Sequence, residues 1–376
     1  MLESVIVNLA AGFRNLTPGQ VILIGIGLAL IYLGTSKEIE PVLLVPIGFG
    51  AVLVNIPLGG LMDEHGVFRI LYDAGVVNEL FPLLIFVGIG AMIDFTPLLD
   101  NPRILLLGGA GQFGIFLTLL LALALGFTKL EAATIGIIGA CDGPTTIYFA
   151  SKFAPHMLGA VSVAAYSYMS LVPIIQPPVM RALTTKKERA VMMTAVKRTT
   201  SKRLKIIFPI VVALITALIA PLGTPLIGML MLGNFLRECG VVDRLSNTAQ
   251  NELCNIVTLF LGISIGATMQ AENFLRPQTL MIFALGFVAI VLDTAAGITF
   301  GKIMNFATGG RVNPLIGAAG ISAFPMSARV VEGVGVKANP RNHLLMQAAG
   351  ANMAGQVASV LAAAVMLSIL TGSGLV

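Results

Sequence analysis

The chain has 376 residues, 56% of them hydrophobic and only 11% charged, with a formal net charge of +5. A soluble domain carries about 25% charged residues. This composition, with a mean hydropathy of +0.93, therefore excludes a water-soluble globule and predicts an all-α polytopic membrane protein.

In chain order, residues 1–19 carry Glu3 and Arg14 among spaced apolar residues and read as an amphipathic segment on the membrane surface, without the pattern of a cleaved signal peptide. Hydrophobic segments follow near 20–35, 41–58, 80–93, 103–126, 131–150 and 157–180. Next comes a basic linker, 181–205, with nine Lys/Arg against one acid, Glu188. Nucleic-acid binding is the poorer account of that patch. The positive-inside rule places it in the cytoplasm, as a loop of a multi-pass protein of the cell inner membrane. A second series of segments falls near 206–223, 225–237, 255–269, 279–305, 312–325 and 343–371.

The chain thus divides into two transmembrane repeats, 20–180 and 206–376. Local likeness supports the pairing: Gly88 to Asp94 resembles Ser264 to Gln270, Gly139 to Pro144 resembles Gly320 to Pro325, and Ala164 to Met169 resembles Ala348 to Met353. With the linker cytoplasmic, an inverted pair requires an odd number of crossings in each half, so one segment of each six is re-entrant. The Gly/Pro-broken fifth segments are the natural candidates, since non-helical backbone survives at membrane depth only when buried or facing a cavity. The short, Gly-rich third segments compete. Residues 326–343 would then face the cytoplasm. Broken spans in matching positions of two inverted halves make a transporter-like architecture and point to a midplane site.

The first interruption holds an acid. Asp142 lies within the otherwise apolar run Ala132 to Tyr148, where a carboxylate costs roughly 2.5–3.5 kcal/mol. Gly143-Pro144 removes a backbone donor and breaks the helix beside it. Carbonyls freed next to a carboxylate make a cation site, and a hard cation such as sodium takes oxygen ligands. Thr145 and Thr146 can add hydroxyls. As partner to a buried base, Asp142 has only Lys302, near a helix end, and Arg329 to draw on. The second interruption, Asn313 to Arg329, is small-residue packing broken by Pro314 and Pro325, with Asn313 and Ser322 polar at its ends. Arg329 is either a snorkelling anchor or a guanidinium receiving a carboxylate from the cytoplasm. Tyr166 and Tyr168 sit mid-segment, and Tyr168 matches Asn352 in the internal pairing. Asp293 is a lesser candidate, because nothing in the sequence breaks the helix beside it. Asp94 and Asp100 flank prolines and read as turn residues near a membrane face. Three cysteines and three histidines lack metal-ligand spacing. No phosphate-binding loop is present: Gly297 to Lys302 ends in Gly-Lys-Ile, without the magnesium-binding hydroxyl.

Together, Ile138 to Tyr148 with Asp-Gly-Pro-Thr, and Asn313-Pro314-Leu315-Ile316-Gly317 through Ser322 to Arg329, resemble the beta subunit of sodium-pumping, biotin-dependent decarboxylases of oxaloacetate, methylmalonyl-CoA, glutaconyl-CoA or malonate. The resemblance runs from near residue 20 to the end. It implies a membrane subunit that takes carboxybiotin from a mobile carrier, releases carbon dioxide, and drives sodium outward while a proton is consumed. It implies Asp142 as the central sodium ligand, assisted by Asn313, Gly317 and Asn352. Tyr168 and Ser322 would belong to the coupled sodium/proton site, and Arg329 would lie on the carboxybiotin side. The implied partners are biotin carrier and carboxyltransferase subunits, a small gamma membrane subunit and membrane lipid, with a homo-oligomeric, for instance trimeric, core. Choice of carboxyl donor would then lie in the carboxyltransferase. Cys141 departs from the small residue, such as alanine, that the family pattern suggests, which bears on local packing. Interrupted repeats alone fit a secondary sodium-coupled carboxylate transporter equally well, because both share that physics. A purely structural anchor leaves the buried acid unexplained.

Overall fold

The computed structural model describes residues 11–38, 40–193 and 200–372. Residues 1–10 of the expected amphipathic segment, and Lys197 and Arg198 of the linker, lie outside them. Among the described residues all regular structure is helical.

Several helices begin where the sequence supplies a cap. Thr17 and Gln20 cap one another reciprocally and Pro18 takes the first position of α1 (Pro18–Ser36). Then come α2 (Pro41–Val54), α3 (Leu80–Met92), the short helix Leu105–Ala110 and α4 (Phe113–Ala124). A second reciprocal pair, Thr128 and Glu131, opens α5 (Lys129–Gly136). A tight 3₁₀ turn, Ile137–Ala140, separates it from α6 (Gly143–Phe153), and α7 (Leu158–Leu183) closes the first half. After the linker, Ser201 caps α8 (Lys202–Ile219), followed by α9 (Thr224–Cys239), α10 (Cys254–Thr268) and α11 (Pro277–Ala307). A 3₁₀ stretch, Pro314–Gly320, then leads to α12 (Met326–Ala338) and α13 (Leu345–Gly372).

Five of the described spans are long and apolar enough to cross a membrane, or seven if each sharply bent pair counts as one. This is a multi-pass membrane protein. α7 bends by 62° between Met169 and Leu171, where Pro173 withholds the donor that the carbonyl of residue 169 would otherwise receive. Two features lie outside the sequence reading. A π turn precedes α3 (Asp73–Val77) and another precedes α10 (Ala249–Leu253). Residues 326–338, expected as part of a cytoplasmic stretch, form α12 and bury Ser327, Ala328, Val331 and Val334 on one face.

Helix packing relies on small residues, as it must where lipid competes for every apolar side chain. α3 and α9 touch backbone to backbone: a Cβ at Gly90 would fall 1.9 Å from the Leu230 carbonyl oxygen, and one at Gly233 1.9 Å from that of Val87. α10 meets α2 in the same manner through Gly266 and Gly50. Two groups of contacts mark the ends of the bundle. At one end His156 pairs with Glu131 (2.9 Å), Lys152 with Glu79 (3.6 Å), and the Asn55 amide donates to the Met269 carbonyl (2.8 Å). At the other, Thr200 donates to Asp100, Arg237 to the Met92 carbonyl, and Asn313 to the linker. The α5–α6 hairpin therefore starts and finishes at the first end. The hairpin formed by Pro314–Gly320 and α12 starts and finishes at the second, where Asn342 also binds the linker carbonyl of Arg189 (2.9 Å). Asp94 accepts from Thr96 and pairs with Lys205 (3.6 Å), so Asp94 and Asp100 are turn residues at that end.

Candidate cation site

The tips of the two hairpins meet. The backbone N–H of Ser322 donates to the Ala140 carbonyl at 2.9 Å, joining the interruption of one half to that of the other. Cys141, Ile321 and Ala323 pack there with Ile290 of α11 and Val172 of α7. Cys141 adopts a left-handed backbone (φ 53°), which turns the chain sharply enough for Asp142 to cap α6.

Asp142 is 3% exposed. Its Oδ1 accepts the Thr145 N–H (3.3 Å), and its Oδ2 accepts the Thr145 hydroxyl (2.7 Å), the Gln356 amide (2.9 Å) and the Ser359 hydroxyl (3.0 Å). Its carbonyl receives the Thr146 hydroxyl at 2.7 Å. Pro144 at the second helical position has no N–H to offer, so the side-chain donors come from elsewhere. No basic side chain approaches Asp142 among these partners. The phenol ring of Tyr166, also buried, lies against Gly143, where a Cβ would sit 2.1 Å from it.

α13 organises both interruptions along one face. Its Asn352 amide donates to the carbonyls of Ala319 (3.3 Å) and Ile321 (2.6 Å) and to the Ser327 hydroxyl (3.0 Å). The Gly355 carbonyl accepts the Ser322 hydroxyl at 2.8 Å. One turn further, Gln356 and Ser359 hold Asp142. Residues 352, 356 and 359 are spaced four and three apart, which stacks them on one side of a helix. That spacing was the available signal for Gln356 and Ser359, which the sequence reading missed.

The other expected residues are placed as follows. Tyr168 packs beside the Cys141–Ile321 cluster, and its hydroxyl donates to the Phe283 carbonyl at 2.5 Å. Gly317 lies backbone to backbone on Gly297 of α11, where a Cβ would be 1.9 Å from a carbonyl oxygen. Asn313 caps the 3₁₀ stretch and donates to the linker carbonyls of Arg189 (3.0 Å) and Val191 (2.8 Å). It therefore anchors the entrance of the hairpin and is not brought to Asp142. Arg329 is exposed in the first turn of α12, one turn beyond the tip.

A second acid lies close by. Asp293 is fully buried in α11, with Oδ1 accepting the Gly114 N–H (2.5 Å) at the start of α4 and Oδ2 without a hydrogen-bond partner. Gly139 faces that free oxygen, and a Cβ there would stand 2.5 Å from it. The break beside Asp293 is in a neighbouring helix, at Gly111-Gln112, so its own sequence gives no sign of it. Gln112 and Gln176 reach the same second interruption, donating to the carbonyls of Gly320 (2.9 Å) and Ala318 (2.8 Å).

Fold and site together define an all-helical, polytopic membrane protein in which two interrupted hairpins enclose a buried carboxylate. The signature of the Na+-transporting oxaloacetate decarboxylase beta subunit matches residues 19–370, and the chain belongs to that family of decarboxylase beta subunits. It is 54% identical to the methylmalonyl-CoA decarboxylase subunit beta of Veillonella parvula, over 96% of both chains. It is 51% identical to the glutaconyl-CoA decarboxylase subunit beta of Acidaminococcus fermentans, again over 96% of each. It is 47% identical to the oxaloacetate decarboxylase beta chain of Klebsiella pneumoniae, over 95% of this chain and 96% of that one.

Proposed function

We propose that this chain is the sodium-translocating subunit of a multisubunit decarboxylase, and that it decarboxylates carboxybiotin presented by a partner while exporting sodium and consuming a proton. The carrying observation is the meeting of the two hairpin tips, with Asp142 buried beside it and, among the described residues, held by no basic side chain. Carboxylate, the hydroxyls of Thr145 and Ser359, and the Gln356 amide supply an all-oxygen shell when the hydroxyl protons turn away and the amide reverses. Such a shell suits a hard monovalent cation as cargo. Asn352 and Ser322 fix the second tip against α13 so that the shell keeps its shape. Carboxybiotin supplies the bond that breaks: carbon dioxide leaves its ring nitrogen, which takes up a proton. Arg329, exposed just beyond the tip, binds the incoming carboxylate from the linker side. Tyr168, against the cluster joining both tips, exchanges a proton as sodium occupies the site.

We read the halves 20–180 and 206–376 as inverted repeats. Supporting this are the hairpins entering from opposite ends, the π turns before both α3 and α10, and the exchanged glycine contacts of α2 with α10 and α9 with α3. The basic linker 181–205 then lies in the cytoplasm.

The complex with its biotinylated partner, reconstituted into vesicles, should accumulate sodium on addition of the carboxyl donor, and avidin should stop it. A secondary sodium-coupled carboxylate carrier would transport without the partner and ignore avidin. Tyr168→Phe should impair both reactions; full retention of both would remove the tyrosine from the scheme.

A further inference from the structure

We infer that the face formed by α4, the preceding helix Leu105–Ala110 and α11 is a binding site for one anionic phospholipid, with its headgroup between Arg103 and Arg311. Two cavities lie end to end along these helices. An apolar groove of about 700 Å³ is floored by Gly109, Ala295 and Ala296 and walled by Leu106, Phe113 and Phe300. Immediately beyond it, from Ile104 and Met304 onward, a cavity of about 480 Å³ is lined by Asn101, Arg103, Thr308 and Arg311. The order along the helices, apolar and then cationic, is the order of acyl chain and headgroup in a phospholipid.

Charge fixes the occupant. Neither guanidinium has an ion pair or hydrogen bond among the described residues, and no acid lines either cavity. Asp100, the nearest acid in sequence, accepts the N–H (2.9 Å) and hydroxyl (2.5 Å) of Thr200. Two exposed guanidiniums lining one cavity suit a phosphodiester, which arginine binds through paired N–H donors. Met193 of the linker also lines the cationic cavity, placing it at the linker end of the bundle. The small residues of the floor leave room for a chain: a Cβ at Gly109 meets nothing within 4 Å. The site also touches function, because Ile316, inside the second 3₁₀ interruption, forms part of the headgroup cavity. A bound lipid would brace that hairpin at its base.

The test uses the complete detergent-solubilised complex, stripped of lipid and exchanged into nanodiscs of neutral phosphatidylcholine with or without phosphatidylglycerol. Lipid retained after washing is counted by native mass spectrometry. The expected result is one phosphatidylglycerol held per chain in preference to phosphatidylcholine. Each basic residue near an anionic surface contributes about 1 kcal/mol, so Arg103→Gln or Arg311→Gln should weaken retention about fivefold and the double variant roughly thirtyfold. Gly109→Leu, which fills the groove and leaves both charges, should also reduce it. Equal retention of neutral lipid, or unchanged retention by the double variant, overturns the proposal. So does a photo-crosslinker at Leu106 that captures a protein subunit or a second copy of the chain in place of lipid.

Discussion

The two buried acids are the same residue type in the same apolar surroundings, yet they are built differently. Asp142 caps its own broken helix and gathers further donors from α13, so both oxygens are occupied. Asp293 sits in the continuous helix α11, borrows one N–H from the start of α4, and leaves its second oxygen facing Gly139. A carboxylate in a low-dielectric interior needs donors or a cation. Beside one fixed donor, the Thr145 N–H on Oδ1, Asp142 has three side-chain groups on Oδ2 that can turn from donating to accepting, which a transient cation requires. The donor on Asp293 Oδ1 is a backbone N–H, which cannot turn. On that contrast, we propose Asp142 as the working ligand and Asp293 as a cross-brace between helices.

The contrast can be broken most directly at Asp142. Asp142→Asn keeps the shape and removes the charge; losing one member of a buried charged contact costs about 3–5 kcal/mol. Sodium uptake by the reconstituted complex should fall on the order of a hundredfold or more, with the protein still assembled. Retained pumping would refute the site.

Gln356→Leu removes the amide oxygen proposed as a ligand of the cation, and a loss of about 1.4 kcal/mol corresponds to tenfold weaker binding. The sodium concentration giving half-maximal decarboxylation should rise on the order of tenfold, and Gln356→Glu should not restore it because a second charge then faces Asp142. An unchanged sodium requirement would separate Gln356 from the shell.

Asp293→Asn sharpens the comparison from the other side. The amide oxygen can still accept from Gly114, while a buried NH₂ donor takes the place of the unpartnered Oδ2; a buried donor without a partner costs about 1–3 kcal/mol of stability. Thermal unfolding in detergent should occur at lower temperature, with transport per folded molecule preserved. Transport as defective as in Asp142→Asn would make Asp293 a second working acid.

The smallest effect belongs to the linker. Burial pushes Glu188 up, but the hydrogen bonds from Thr185 and Lys302 outweigh it and hold the carboxyl below its usual range. The folded value is thus lower than the unfolded one. Its stabilisation is present above the ordinary glutamate range and fades as pH falls through the depressed value. The pair is partly exposed, so Glu188→Gln should cost about 0.2–1 kcal/mol near neutral pH, a difference from the parent that closes on acidification.

Much of the fold was legible because membrane helices announce themselves by length and apolarity. The segments read near 157–180 and 255–269 correspond to Leu158–Leu183 and Cys254–Thr268. Both interruptions were legible too, through Gly143-Pro144 and Pro314. The helix Met326–Ala338 was harder, since Arg329, Glu332 and Lys337 mask the apolar face that buries Val331 and Val334. In the site, Asp142 and Asn352 stood out as polar residues in apolar runs. Gln356 and Ser359 did not, because nothing local says that α13 lies beside residue 142. Asn313 misled for the opposite reason: its neighbours make a cation motif, but its amide faces linker carbonyls that only the tertiary structure brings near.

One consequence of α13 concerns its reading frame. Asn352, Gly355, Gln356 and Ser359 act as graduations on a single rod, two serving one hairpin and two the other. Each residue of an α-helix turns about 100°. A single insertion between Gly355 and Gln356 would therefore swing one pair off its target while leaving the other aligned. Point changes along this stretch lose contacts one at a time, whereas a one-residue slip severs the correspondence between the halves.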